Sequence, residues 1–106
     1  MHKTKLTLAG LVVCVAGCAS FQAGAPAITP AMVKVAQSAG GSLEKLESGR
    51  RLLAMRCTTC HVLEPVGNYT VQEWSDIVED MADRSGLKSE EQQEIQAYLT
   101  AARKTL

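Results

Sequence analysis

The chemistry of this chain is concentrated in one five-residue pattern, Cys57-Thr58-Thr59-Cys60-His61. Its two thiols are three positions apart, a spacing that lets both add to the vinyl groups of a single porphyrin. The adjacent histidine is then delivered to the porphyrin iron from the same turn. The pattern therefore predicts one covalent haem c, with His61 as the proximal iron ligand.

Other uses of the cysteine pair fit this sequence less well. A thioredoxin-like redox site needs a βαβ pattern around the cysteines, and none is present. A zinc site needs a second pair of ligands, yet His61 is the only histidine after His2. A structural disulfide in an exported protein is the remaining alternative.

The first 17 residues have the composition of a secretory signal peptide, with two early lysines and an apolar run at 6–16 that is too short to span a bilayer. The run ends in VAGC at 15–18, which resembles the lipobox of bacterial lipoproteins. We therefore expect Cys18 to be acylated; the alternative is an ordinary signal peptide cut near Ala19. In a Gram-negative host, Ala19 in place of an Asp implies the periplasmic face of the outer membrane.

The helix signals divide the rest of the chain. An Ala/Gly/Pro-rich stretch at 18–28 is typical of a flexible tether. Thr29 followed by Pro30 predicts a short accessory helix within 29–41, from Pro30 to about Ser38.

Residues 42–106 form the predicted main domain. Ser42 is the expected cap of a helix that runs to about Met55 and leads into the cysteine motif. Two capping-box patterns predict the remaining helices: Thr70 with Glu73, to about Asp83, and Ser89 with Gln92, to about Lys104. No strand pattern or repeat is present, so the predicted fold class is all-α.

The sixth iron ligand must be a methionine or an open position, because the mature chain has no second histidine. Met55 lies two residues before Cys57, too near to reach the opposite haem face, and Met32 belongs to the accessory helix. Met81 shares a helical stripe with Trp74 and Ile77. We therefore predict Met81 as the distal ligand, with core packing as its alternative role.

From Leu43 to the C-terminus the chain resembles the small class I, monohaem cytochrome c domains. The features that carry the resemblance are a glycine eight residues before the first haem cysteine, the haem motif, an aromatic–methionine pair on one helix and an apolar terminal helix: Gly49, Cys57-Thr58-Thr59-Cys60-His61, Trp74 with Met81, and Ile95 with Tyr98 and Leu99. It implies a small helical domain wrapped around one covalent haem. Gly49 would then let the C-terminal helix cross closely, against Tyr98 or Leu99.

The same resemblance assigns further contacts to the haem. Relatives use a proline carbonyl to orient the histidine ring; here the loop is short and Pro65 would take that role. The Trp74 N–H and the Tyr69 O–H are expected at the haem propionates, with plain core packing as the alternative. Four arginines are further candidates for the propionates, none of them singled out: Arg50, Arg51, Arg56 and Arg84.

An iron held by both His61 and Met81 has no site left for a substrate, so we expect an electron carrier and not an enzyme. The alternatives are a haem-based ligand-binding or sensing protein, or an electron-entry subunit of a dehydrogenase or reductase. The expected partners are redox proteins and, through Cys18, a lipid membrane on the periplasmic side. The formal net charge of zero gives no reason to expect nucleic-acid binding.

Overall fold

Helices account for the regular structure of the computed structural model, which describes residues 23–59 and 61–106. The predictions for the signal peptide, Cys18 and Cys60 fall outside these residues. Four complete helices follow one another along the described chain: α1 (Pro30–Ser38), α2 (Leu43–Arg56), α3 (Val71–Ser85) and α4 (Ser89–Lys104). Short 3-10 helices occupy Cys57–Thr59 and Val66–Asn68, and the described residues contain no strand. The all-α prediction is confirmed.

The predicted signals start and stop the first two helices. The Thr29 hydroxyl accepts the Met32 N–H at 3.2 Å, with Pro30 at the first helical position. Beyond the end of α1, Gly40 takes a left-handed φ of 78°, which glycine adopts without steric cost. Ser42 caps α2 by accepting the Lys45 N–H at 3.2 Å.

The two capping boxes have different outcomes. The Thr70–Glu73 box is confirmed, because the Thr70 hydroxyl accepts the Glu73 N–H at 3.2 Å and the Glu73 carboxylate accepts the Thr70 N–H at 2.7 Å. The Ser89–Gln92 box is wrong by one residue: the cap is Lys88, whose N–H donates to the Glu91 carboxylate at 3.0 Å. A carboxylate accepts this hydrogen bond more strongly than the Gln92 amide would, so the helix begins where Glu91 can reach its cap.

Helices α2 and α4 cross with almost no space between their backbones at Gly49. A Cβ at this position would lie 2.1 Å from the Glu94 carbonyl oxygen and 3.0 Å from the Tyr98 Cβ. The close crossing against Tyr98 is confirmed. Leu46, Ile95 and Leu99 are buried around it.

The N-terminal segment corrects the predicted domain boundaries. Ala25 is completely buried. The Ala25 carbonyl accepts a hydrogen bond from Arg50 Nε at 3.1 Å, and the Pro26 carbonyl accepts the Tyr98 hydroxyl at 2.6 Å. The prediction of a flexible tether is therefore wrong for residues 24–28, because side chains from α2 and α4 bind their main-chain oxygens.

The accessory helix α1 also belongs to the main core. Met32 is only 2% exposed, and with Ala36 it packs in the same apolar cluster as Leu46 and Tyr98. The domain predicted at 42–106 thus extends back to Gly24, and α1 is part of it.

Candidate functional site

A cavity of about 680 Å³ lies between the end of α2, the loop that follows His61, and helices α3 and α4. We call it the α3 cavity. Its lining combines apolar side chains with a few polar ones at the rim: Gly24, Leu53, Arg56, Cys57, His61, Leu63, Glu64, Tyr69, Trp74, Ile77, Val78, Met81, Arg84, Ser85, Leu87, Ile95 and Leu99. An apolar pocket of this volume with a few polar groups has the character of a small-molecule or cofactor site.

Cys57 and His61, two members of the haem motif, both line this cavity. Cys57 follows the last residue of α2 and is partly buried against the core. This burial raises the pKa of the Cys57 thiol and so favours its protonated form. His61 is exposed, and its ring Nδ1 lies 2.8 Å from the Val62 carbonyl oxygen.

The three methionines of the described chain have three different surroundings. Met81 is partly buried and lines the α3 cavity beside Ile77. Met32 is a buried core residue, and Met55 is 64% exposed. Met81 is the one of the three that shares a cavity with His61.

The histidine-orienting role expected of Pro65 is not found. The carbonyl next to the His61 ring belongs to Val62, whereas the Pro65 carbonyl accepts the Asn68 N–H at 3.0 Å. Pro65 begins the 3-10 helix Val66–Asn68 instead. In this structure the carbonyl that can fix the imidazole ring is therefore that of Val62.

Trp74 is also used differently from the expectation. Its indole N–H donates to the Val66 carbonyl at 2.8 Å in a buried position, so it is committed to holding the 66–68 turn against α3. The prediction that this N–H binds a propionate is corrected to the packing alternative. Tyr69 lies edge-on to Trp74, with ring centroids 5.0 Å apart, and lines the cavity. The Tyr69 hydroxyl remains a candidate contact.

Two of the four candidate arginines line the α3 cavity, Arg56 and Arg84. Arg56 donates to the Ser85 carbonyl at 3.4 Å and lies 3.7 Å from the Glu91 carboxylate. Arg84 lies 3.7 Å from the Asp80 carboxylate. Both guanidinium groups therefore lie beside acidic side chains, and Arg56 also binds neighbouring main chain.

Arg50 and Arg51 lie elsewhere. They border a separate depression of about 280 Å³ together with Ile28, Glu47 and Ala54. This position makes them unsuitable as ligands for a group in the α3 cavity.

Two lining residues were missed by sequence reasoning, Gly24 and Leu63. They pack together so closely that a Cβ on Gly24 would lie 2.5 Å from the Leu63 Cβ. No periodicity marks either residue, because neither belongs to an amphipathic helix. The apolar character of Leu63 directly after the motif was the only signal available.

The donors that line the α3 cavity could hold the iron of a haem. Within residues 23–59 and 61–106, no group of three or more His, Cys, Asp or Glu side chains is arranged to hold a metal ion. A haem iron needs only one or two protein ligands, because the porphyrin supplies the others. His61 and Met81 on one apolar cavity, with Cys57 at its wall, fit that requirement.

No protein-family model matches the chain, and comparisons with curated proteins and with solved structures found no match. Among the described helices, none has the length and apolar content needed to cross a bilayer.

Proposed function

We propose that this chain is a lipid-anchored, monohaem c-type cytochrome that transfers single electrons on the periplasmic side of a membrane. The observation that carries the proposal is the meeting of Cys57, His61 and Met81 around one apolar cavity. These residues are separated by up to 24 positions in the chain.

The dimensions and lining of the α3 cavity support a bound haem. Its volume of about 680 Å³ falls within the range of cofactor sites. Cys57 and Cys60 would form the thioether bonds, and His61 and Met81 would be the axial ligands. When bound, the haem supplies an iron that cycles between ferrous and ferric states.

The chain's own residues would tune that iron in three ways. The Val62 carbonyl next to His61 Nδ1 accepts the ring N–H and so fixes the imidazole orientation. Met81 supplies a thioether, a ligand that raises the reduction potential relative to a second histidine. The apolar side chains Ile77, Val78 and Leu99 line the cavity and would make the surroundings of the iron less polar.

Arg56 and Arg84 replace Trp74 as the preferred partners of the haem propionates. Both guanidinium groups lie on the rim of the cavity, whereas the Trp74 N–H is already bonded to Val66. An arginine can donate two parallel hydrogen bonds to a carboxylate.

An electron carrier is favoured over a sensing protein by the position of Met81. A sensing protein needs an open or easily displaced sixth ligand, and Met81 lies on the same cavity as His61. An electron-entry subunit would have the same iron ligands and differ in its stable attachment to a larger enzyme. Co-purification with such an enzyme would favour that alternative.

The decisive test is the replacement Met81→Ala. We expect it to open the iron to carbon monoxide and to lower the reduction potential, whereas the parent protein should bind carbon monoxide poorly. Met55→Ala is the matched control, because Met55 is exposed and outside the cavity; its visible spectrum should equal that of the parent. A parent that binds carbon monoxide tightly, or a Met81→Ala spectrum identical to the parent's, would favour the sensing alternative.

Covalent attachment and lipidation have separate tests. If Cys57 and Cys60 are both thioether-linked, acidified organic solvent leaves the haem with the denatured chain. Extraction of the haem would contradict the c-type assignment. Mass spectrometry of the native protein should find an acylated Cys18 at the N-terminus, and an unmodified N-terminus at another residue would rule the anchor out.

A further inference from the structure

The attachment of residues 24–28 to the domain limits how far the α3 cavity can move from a membrane. Because Gly24 packs against Leu63 and the next two residues hydrogen-bond to Arg50 and Tyr98, the chain is attached to the domain from Gly24 onward. Only residues 19–23 lie between this attachment and the proposed anchor. Cys18 and Gly24 are six positions apart. Fully extended, that length of chain reaches about 22 Å.

The point of attachment is on the wall of the α3 cavity itself. Gly24 lines the cavity together with Leu63 and Glu64, in the loop that follows His61. A domain of about 80 residues is about 30 Å across. The tether is therefore shorter than the domain is wide, and the face that carries Gly24 cannot turn away from the bilayer to the far side.

We propose that the surface beside Gly24, formed by the exposed Val62 and Glu64, is held next to a lipid surface, so that the loop carrying His61 faces the membrane. The inference rests on the proposed lipid anchor at Cys18. The anchor alone would not give this orientation. A flexible tether over all of residues 18–28, as expected from the sequence, would reach about 40 Å, which is longer than the domain is wide.

The surroundings of the attachment point suit a lipid surface. Val62 in this loop is an apolar residue that is 77% exposed. Arg51 is exposed and borders the separate depression that also contains Ile28 and Glu47. Its charge would attract anionic lipid headgroups, whereas the exposed Glu64 of the loop would repel them.

The test uses the full-length, haem-loaded, lipidated protein on vesicles of phosphatidylcholine and phosphatidylglycerol that contain a nickel-chelating lipid. A nitroxide is attached either at Glu64→Cys, in the loop, or at Glu79→Cys. Glu79 is exposed on α3, whereas Trp74 and Val78 on the same helix are buried. The gain in nitroxide relaxation on adding nickel then reports the distance of each site from the lipid.

We expect nickel to enhance relaxation several-fold more at position 64 than at position 79. Inserting 12 Gly/Ser residues between Gln22 and Ala23 triples the tether, which lowers the effective local concentration about fivefold. The enhancement at position 64 should fall accordingly. Equal enhancement at the two sites, a larger one at 79, or no response to the longer tether would overturn the inference.

The outcomes separate the orientation from the anchor. If the parent sediments with vesicles and the Cys18→Ser variant does not, the lipid anchor is supported. A protein that sediments with vesicles but shows equal enhancement at both sites contradicts the orientation alone. A parent that does not sediment contradicts the anchor and the orientation together.

Discussion

The two halves of this small domain are packed in opposite ways. In the closed half, made by Met32, Leu46, Gly49 and Tyr98, helices α1, α2 and α4 are in direct contact and each side chain is buried by its neighbours. In the open half, made by the α3 cavity, apolar side chains surround a space of about 680 Å³. Ile77 and Met81 there are only partly buried.

The difference indicates which half the chain can build on its own. Side chains of the closed half bury one another, so this half needs no bound group to complete its packing. A small domain with an incomplete apolar core gains stability from a bound group that fills it. We therefore expect substitutions in the closed half to reduce folding stability, and substitutions in the open half to alter the properties of the proposed haem.

Gly49→Ala should have the largest effect on the closed half. Its Cβ would lie 2.1 Å from the Glu94 carbonyl oxygen and 2.7 Å from the carbonyl carbon, so the backbone of α4 must move. We expect a loss of more than about 4 kcal/mol in the free energy of unfolding, measured by urea denaturation. Gly67→Ala is the control, because its Cβ would meet Leu106 Cδ1 at an ordinary 3.5 Å. Similar losses in the two variants would contradict the close crossing.

Met32→Ala should cause the second-largest loss in the free energy of unfolding. It removes a side chain that is 2% exposed and leaves a cavity between α1 and the rest of the core, at a cost of about 3 kcal/mol. Met55→Ala, at an exposed position, should cost less than about 0.5 kcal/mol. If Met32→Ala altered the visible spectrum of the haem-loaded protein and Met81→Ala did not, the proposed division between the closed and the open half would be contradicted.

Tyr98→Phe tests the link between the closed half and the N-terminal segment. It removes the hydrogen bond to the Pro26 carbonyl, at a cost of about 1 kcal/mol at neutral pH. Burial raises the pKa of Tyr98 to about 12, partly opposed by the charge of Arg50. A raised pKa in the folded state means that stability is full below the unfolded value of about 10 and declines as the pH rises from about 10 to 12.

The variant lacks this titrating group, so its stability should decline less steeply across that alkaline interval. Urea denaturation of the parent and of Tyr98→Phe at several pH values measures the two slopes. Parallel curves would show that Tyr98 is not buried in the folded protein as described.

Glu73→Gln should have the smallest effect, confined to acid pH. The hydrogen bonds from the Thr70 main chain and side chain, with a contribution from the charge of Arg103, hold the pKa of Glu73 below its ordinary value. The stabilisation from the ionised carboxylate is present above that ordinary value and is lost as the pH falls through the lowered one. The free energy of unfolding of the variant should therefore change less as the pH falls than that of the parent. Glu79→Gln, outside the cap, should leave the pH dependence of the parent unchanged.

The features that could be predicted from sequence are the ones set by nearby residues. Thr29 with Pro30, and Thr70 with Glu73, determine helix starts through contacts three residues apart, and both starts were predicted correctly. The start of α4 was wrong by one residue because two overlapping pairs offer a similar pattern, and the carboxylate of Glu91 is the stronger acceptor.

The errors concern contacts between distant parts of the chain. The composition of residues 24–28 indicates a linker, and nothing local reveals that Tyr98, 72 positions after Pro26, binds its carbonyl. The same limit applies to Trp74, whose N–H was assigned to a cofactor and is bound by Val66. Around the α3 cavity, the sequence singled out Cys57, His61 and Met81, and all three line it; their roles toward a haem stay predictions. Gly24 and Leu63 could be identified as cavity-lining residues only from the folded structure.

One carboxylate, that of Glu91, serves two partners, and this should constrain how positions 56 and 91 change during evolution. One oxygen accepts the Lys88 N–H at the start of α4, and the other lies 3.7 Å from Arg56, the residue before Cys57. Loss of Arg56 leaves the helix cap intact, whereas loss of Glu91 removes both contacts. Among homologous sequences we therefore expect an acceptor to persist at position 91 even where position 56 has lost its charge. Basic residues at 56 should be found almost entirely in sequences that keep an acid at 91.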